Sequence, residues 1–227
     1  MTEYVPLALS YRWLAQFFLS PPSAEQLEQY RGPDGQQVLS ACRSVPALAP
    51  VVGLLDAMIA PGQDLEAEQK GFARAFSQAF DVGGPRSAPP YASVYVSERG
   101  LLCQEPTREM NRILSGLQMT LPGGVNEPSD HIAIQLHVAA ELCDREQAGQ
   151  HLPIPTVAFL EQHLLNWLPE FADRCARLSG PPRISLLTNA ALDLVRADIK
   201  ERRKDQPDHE QVARVAQSAL GAIKATY

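Results

Sequence analysis

No apolar run in this chain approaches the ~20 residues that a membrane-spanning helix needs. The opening residues, Met1-Thr-Glu-Tyr-Val-Pro6, lack the basic end and apolar core of a secretory signal. The expected compartment is therefore the cytoplasm. Cysteine is sparse: the four residues Cys42, Cys103, Cys143 and Cys175 stand far apart, with no Cys-x-x-Cys pair. That spacing argues against a structural zinc site, and a reducing compartment argues against disulfides. The cysteines read instead as small apolar core residues. The phosphate-cradling Gly-x-x-x-x-Gly-Lys-Ser/Thr loop is missing, as are Gly-x-Gly-x-x-Gly, Gly-x-Ser-x-Gly and His-Glu-x-x-His. So is the Glu-x-x-His pair of helical di-iron bundles. No enzyme, cofactor or metal is expected from these absences. Positive charge is also short: 20 Lys and Arg stand against 26 Asp and Glu, a net charge of −6. This balance disfavours non-specific nucleic-acid binding and suits a basic partner.

What is present is helical pattern. The 227 residues, 45% apolar, suffice for a substantial core; a chain of this size buries about 70% of its unfolded surface. Tyr4, Leu7, Tyr11, Leu14 and Phe18 follow the three-four spacing of one helix face, with Arg12 and Gln16 turned away. Pro21-Pro22 stops that helix, and Ser23 caps a short one through Tyr30. After a turn at Arg31–Gly35, helices are predicted over Gln36–Arg43, Ala47–Ile59 and Leu65–Phe80. Phe72, Phe76 and Phe80 make a stripe that reads as core. Asp81–Ala92 is rich in Gly and Pro and reads as a long loop. Tyr91 and Tyr95 follow, four residues apart; they either pin the loop to the core or line a peptide groove. Further helices are predicted over Glu105–Gln118, from Pro128 to about Arg145, from Thr156 to the neighbourhood of Pro169, on to Leu178, over Ile184–Arg203 and over Gln211–Ala225. Clear alternating strand patterns are absent, so the fold class is all-α. Leu121–Asn126 is rich in chain breakers and is the candidate hinge.

The densest chemistry lies at Glu127-Pro128-Ser129-Asp130-His131. Proline suits the first helical position. That placement makes Glu127 the cap and sets Asp130 to accept from a free backbone N–H, with Glu127 and His131 one turn apart on one face. Capping alone does not call for a histidine beside the aspartate. His137 and Glu141, also turn-spaced, read as an ordinary surface link.

Four segments, in order, resemble the TorD/DmsD/NarJ family of redox-enzyme maturation chaperones, in its TorD-like form. They are Tyr11-x-x-Leu14-Ala-Gln-Phe17-Phe18, Pro90-Tyr91-Ala-Ser93-Val-Tyr95, Asn126–His131 and Asn166-Trp167-Leu168-Pro169-Glu170-Phe171. The resemblance implies a helical bundle of two lobes, residues 1–120 and 121–203, joined by the Pro/Gly hinge; residues 204–227, read as an extra C-terminal helix from their own periodicity, depart from the shorter family members. It implies a chaperone that binds the twin-arginine signal peptide and apoprotein of a molybdoenzyme of trimethylamine N-oxide reductase type. Such a chaperone assists molybdenum-cofactor insertion and delays export until the client is loaded. Under this reading Glu127 and Asp130 supply carboxylates to guanidinium groups, and His131 orients one of those carboxylates or contacts peptide backbone; the competing reading is that Asp130 and His131 simply fasten the helix start to the Pro/Tyr loop. Tyr91 and Tyr95 offer apolar surface, while Pro90, Ser93 and Pro128 shape the site. The family includes monomers and domain-swapped dimers, and a Pro/Gly hinge suits either. The other reading, guanine-nucleotide binding or hydrolysis, has been proposed within the family; the missing phosphate loop counts against it.

Overall fold

The computed structural model describes residues 7–80, 87–98, 100–120, 126–178, 180 and 182–205. Most of the predicted hinge and the whole of the predicted Gln211–Ala225 helix lie outside these residues, as do Gly83-Gly84-Pro85.

Eleven α-helices and one π-helical turn are present among the described residues, with no strand. Helix α1 spans Leu7–Leu19, and Tyr11, Leu14 and Phe18 of its predicted face are all sealed from solvent. Helices α2 (Ala24–Arg31) and α3 (Pro33–Arg43) pack side by side. Ser23 opens α2 with a reciprocal cap: Gln26 N–H donates to Ser23 Oγ at 3.1 Å, and Ser23 N–H to Gln26 Oε1 at 2.8 Å. The predicted turn is shorter than expected, because Pro33 begins α3 at its first position rather than Gln36. Gly35 permits the tight join, since a Cβ there would lie 2.2 Å from the Gln29 carbonyl oxygen.

Helices α4 (Ala49–Ile59) and α5 (Leu65–Phe80) follow. Phe72 and Phe80 are buried, with Phe76 edge-on to Phe80, as core packing requires. A short α6 (Ala92–Val96) and α7 (Glu105–Gly116) precede α8 (Ile132–Gln147). Helix α8 is buried nearly all round, from Ile132 to Cys143. A helix apolar on every side belongs at the centre of a bundle, and α8 carries α1 along its flank.

Helix α9 (Thr156–Phe159) runs into a π-helical turn, Leu160–Leu165, before α10 (Leu168–Ala176) and the long α11 (Arg183–Asp205). The prediction of one continuous helix from Thr156 is corrected here: a wider π-helical turn interrupts it at Leu160–Leu165. Phe18, Phe80 and Phe171 meet with ring centroids 6.0–6.4 Å apart, joining α1, α5 and α10 in one core. Of the four cysteines, Cys42, Cys143 and Cys175 are buried as expected, while Cys103 is exposed in a left-handed turn at φ 57°. No helix of the described residues is long and apolar enough to cross a membrane.

Candidate functional site

The Pro/Tyr loop and the Glu-Pro-Ser-Asp-His segment run antiparallel to each other and meet at one backbone bridge between Tyr91 and His131. Ala92 N–H donates to the Asp130 carbonyl at 3.1 Å, and Ile132 N–H to the Pro90 carbonyl at 2.9 Å. Side chains then lock the crossing. Asp130 is fully buried; its Oδ2 accepts from Ser93 N–H at 2.8 Å and its Oδ1 from Thr107 Oγ–H at 2.7 Å. Ser93 is the second residue of α6, so Asp130 caps that helix from 37 residues away. Ser129 Oγ–H donates to the Thr107 carbonyl at 2.9 Å, and Ser93 Oγ accepts from Gln104 N–H at 3.2 Å. One carboxylate thus ties α6, α7 and the entry to α8 together. A buried carboxylate is tolerated because its donors replace water; hydrogen bonds to a charged group contribute about 1.5–3 kcal/mol each.

The expected helix start at Pro128 is therefore overturned. Helix α8 begins at Ile132, with His131 as its cap. Asp130 spends its oxygens on α6 and α7, not on its own helix, and the bridge holds His131 extended at φ −64°, ψ 137°. Glu127 and His131 are accordingly not one helical turn apart. Tyr91 brings them together instead: its hydroxyl donates to Glu127 Oε2 at 2.5 Å, and its ring meets the His131 ring edge-on at 5.1 Å. Burial raises the Tyr91 pKa, and the bond to Glu127 raises it further, so the phenol stays protonated.

His131 Nδ1 accepts from Ala133 N–H at 3.2 Å, which leaves the ring proton on Nε2. Burial lowers the His131 pKa to about 4 against the opposing pull of the Glu127 and Asp130 charges, so the ring is neutral at pH 7. Glu127 alone among the three is exposed. Its Oε1 has no hydrogen-bond partner among the described residues.

Tyr95 parts from Tyr91. It stacks on Trp167 at 5.4 Å and meets Phe171 edge-on at 5.7 Å, and its hydroxyl is buried without a partner among the described residues. Thr107, Ser129, Gln135 and Trp167 complete the surroundings and were not singled out as site residues from sequence. Gln135 carries one readable cue: it is a polar residue inside the apolar run of α8, four after His131. Its Oε1 accepts from Trp167 Nε1–H at 3.0 Å. Thr107 carries none, since its role depends on a carboxylate from another segment. No group of three or more His, Cys, Asp or Glu among the described residues is placed to hold a metal ion.

Similar proteins are known. A profile of the nitrate reductase delta subunit family matches residues 44–173. "Chaperone protein TorD" of Vibrio cholerae is 31% identical over 194 residues, covering 83% of this chain and 88% of that protein. The proteins of the same name from Aliivibrio fischeri and Vibrio vulnificus are 28% and 31% identical, over 84% and 73% of this chain and 91% and 80% of their own lengths.

Proposed function

The chain belongs to the TorD/DmsD/NarJ family of redox-enzyme maturation chaperones, and we propose that its client is a molybdoenzyme of trimethylamine N-oxide reductase type. It binds the client's twin-arginine signal peptide and its apoprotein, assists molybdenum-cofactor insertion and delays export until the client is loaded. One observation carries the peptide half of this reading. Glu127 is an exposed carboxylate held at one oxygen by Tyr91, with the other oxygen unpartnered among the described residues. A guanidinium fork pairs with such a carboxylate more strongly than a neutral donor does.

The geometry supports a division of labour among the site residues. Glu127 accepts the guanidinium. Tyr91 fixes the carboxylate and presents its ring. Asp130 and His131 are positioning residues: the first anchors the crossing of the two segments, the second caps α8. Pro90, Ser93 and Pro128 hold the backbone that frames them, since Pro90 and Pro128 each accept one backbone bond and Ser93 donates to Asp130. Tyr95 contributes ring surface beside Trp167.

Calorimetric titration with a synthetic twin-arginine signal peptide of a trimethylamine N-oxide reductase tests the reading. Micromolar binding is expected, weakened about tenfold by Lys-Lys replacement in the peptide or by Glu127→Gln, equivalent to one charge-assisted hydrogen bond. Absence of binding to the wild-type protein, or indifference to both changes, overturns it.

A further inference from the structure

Beside the Asp130 crossing, a cavity of about 370 Å³ opens between α7 and the π-helical turn. Its walls include Val96, Glu109, Gln135, Gln162, His163 and Asn166. Three features point to a ligand. Gln135 is 99% buried and lines the cavity, with Oε1 committed to Trp167, while Nε2 has no partner among the described residues. A buried donor of this kind calls for an acceptor.

The second feature is Glu109. Its neighbour is His163, with Nδ1 at 3.8 Å from Oε2. Burial lowers the His163 pKa, against the pull of Glu109, so the ring is no cation at pH 7. Arg108 also lines the cavity but pairs with Glu105 at 3.4 Å. Glu109 is therefore a carboxylate without a paired cation among the described residues. The third feature is the wall itself: the π-helical turn sets Gln162 and His163 into the cavity, and such turns recur at functional sites.

We propose that this cavity receives one arginine side chain of an extended peptide. The guanidinium pairs with Glu109, its remaining N–H groups meet the side-chain carbonyl oxygens of Gln162 or Asn166, and its apolar stem lies along Val96. The peptide's own backbone carbonyl accepts from Gln135 Nε2. Arginine fits better than lysine because it donates in a planar fork to several acceptors at once. The site is separate from Glu127; it rests on the proposed function only in taking the signal peptide as the physiological source of the arginine.

Two measurements on the full chain separate the two readings. In ¹⁵N NMR, titration with N-acetyl-L-arginine amide should shift the Gln135 side-chain NH₂ and the His163 ring. The lysine analogue should shift them less, and Glu109→Gln should weaken arginine binding about tenfold. Glu109 is half-exposed, so this variant leaves the fold intact. In calorimetry, the twin-arginine peptide should lose about tenfold with Glu109→Gln, independently of Glu127→Gln. Arginine-induced shifts without signal-peptide binding leave the cavity as an arginine site and overturn the signal-peptide reading. Signal-peptide binding without those shifts does the reverse. Shifts of equal size for both amides, or shifts that survive in Glu109→Gln, overturn the arginine assignment.

Discussion

Asp130 and His131 are neighbours with opposite electrostatic problems. The carboxylate is buried and has two donors aimed at it; the imidazole is buried and has given up its charge. A histidine whose folded pKa lies below its unfolded value favours the native state above the unfolded pKa. That contribution is lost as pH falls from about 6.5 toward 4. His131 should therefore make the protein roughly 2 kcal/mol less stable at pH 5 than at pH 7. Urea unfolding at the two pH values checks this, and His131→Asn should remove most of the difference. Tyr95 poses a simpler case. Its hydroxyl is buried and unpartnered among the described residues, so Tyr95→Phe should raise stability by about 1 kcal/mol while keeping the stack on Trp167. A fall in thermal midpoint would show that the hydroxyl has a partner in solution.

At the scale of elements, helices were legible and junctions were not. The three-four spacing of α1, the Ser23 box and the Phe72–Phe80 stripe are local patterns, and the structure reproduces them. The start of α8 was misread because Pro128 is a sound local helix signal that a distant requirement overrides: Asp130 is needed by α6 and α7. The sequence did place Pro90, Tyr91, Ser93, Glu127 and Asp130 in one site, but only through the resemblance. No periodicity links residue 93 to residue 130. The π-helical turn escaped for a related reason, since one extra residue in a turn leaves the composition of a helix unchanged. Its register is functional for Trp167, whose indole N–H reaches both Gln135 and the His163 carbonyl. Deleting the exposed Gln162 should restore α-geometry, swing Trp167 off Gln135 and lower stability by about 2 kcal/mol. A red shift of tryptophan emission checks the swing. Thr107→Val, which keeps the shape and removes one donor to Asp130, should cost about 1–2 kcal/mol by urea unfolding.

At the scale of the molecule, a second polar network joins the beginning of the described chain to its end. Tyr11 hydroxyl donates to Asp198 Oδ2 at 2.9 Å, 187 residues away, and Arg202 Nε donates to Asp198 Oδ1 at 2.6 Å. Arg202 continues to Glu146 and to Cys143 Sγ. Burial works against the Arg202 charge, but Asp198, Glu146 and Cys143 together outweigh it and raise the pKa. Burial raises the Cys143 thiol to about 12, so it stays protonated at neutral pH. Asp198→Ala leaves the half-buried Arg202 with one carboxylate fewer and strips Tyr11 of its acceptor. It should cost about 3 kcal/mol, read as one shared unfolding transition by circular dichroism and tryptophan fluorescence.

The packing of α1 on α8 also has a consequence in time. The face of α1 that packs on α8 is made well before its cover, which is encoded beyond residue 131, more than a hundred residues later. At roughly 5–20 residues per second, the interval is on the order of ten seconds. For that period a nascent chain of a maturation-chaperone family presents an unfinished surface of its own.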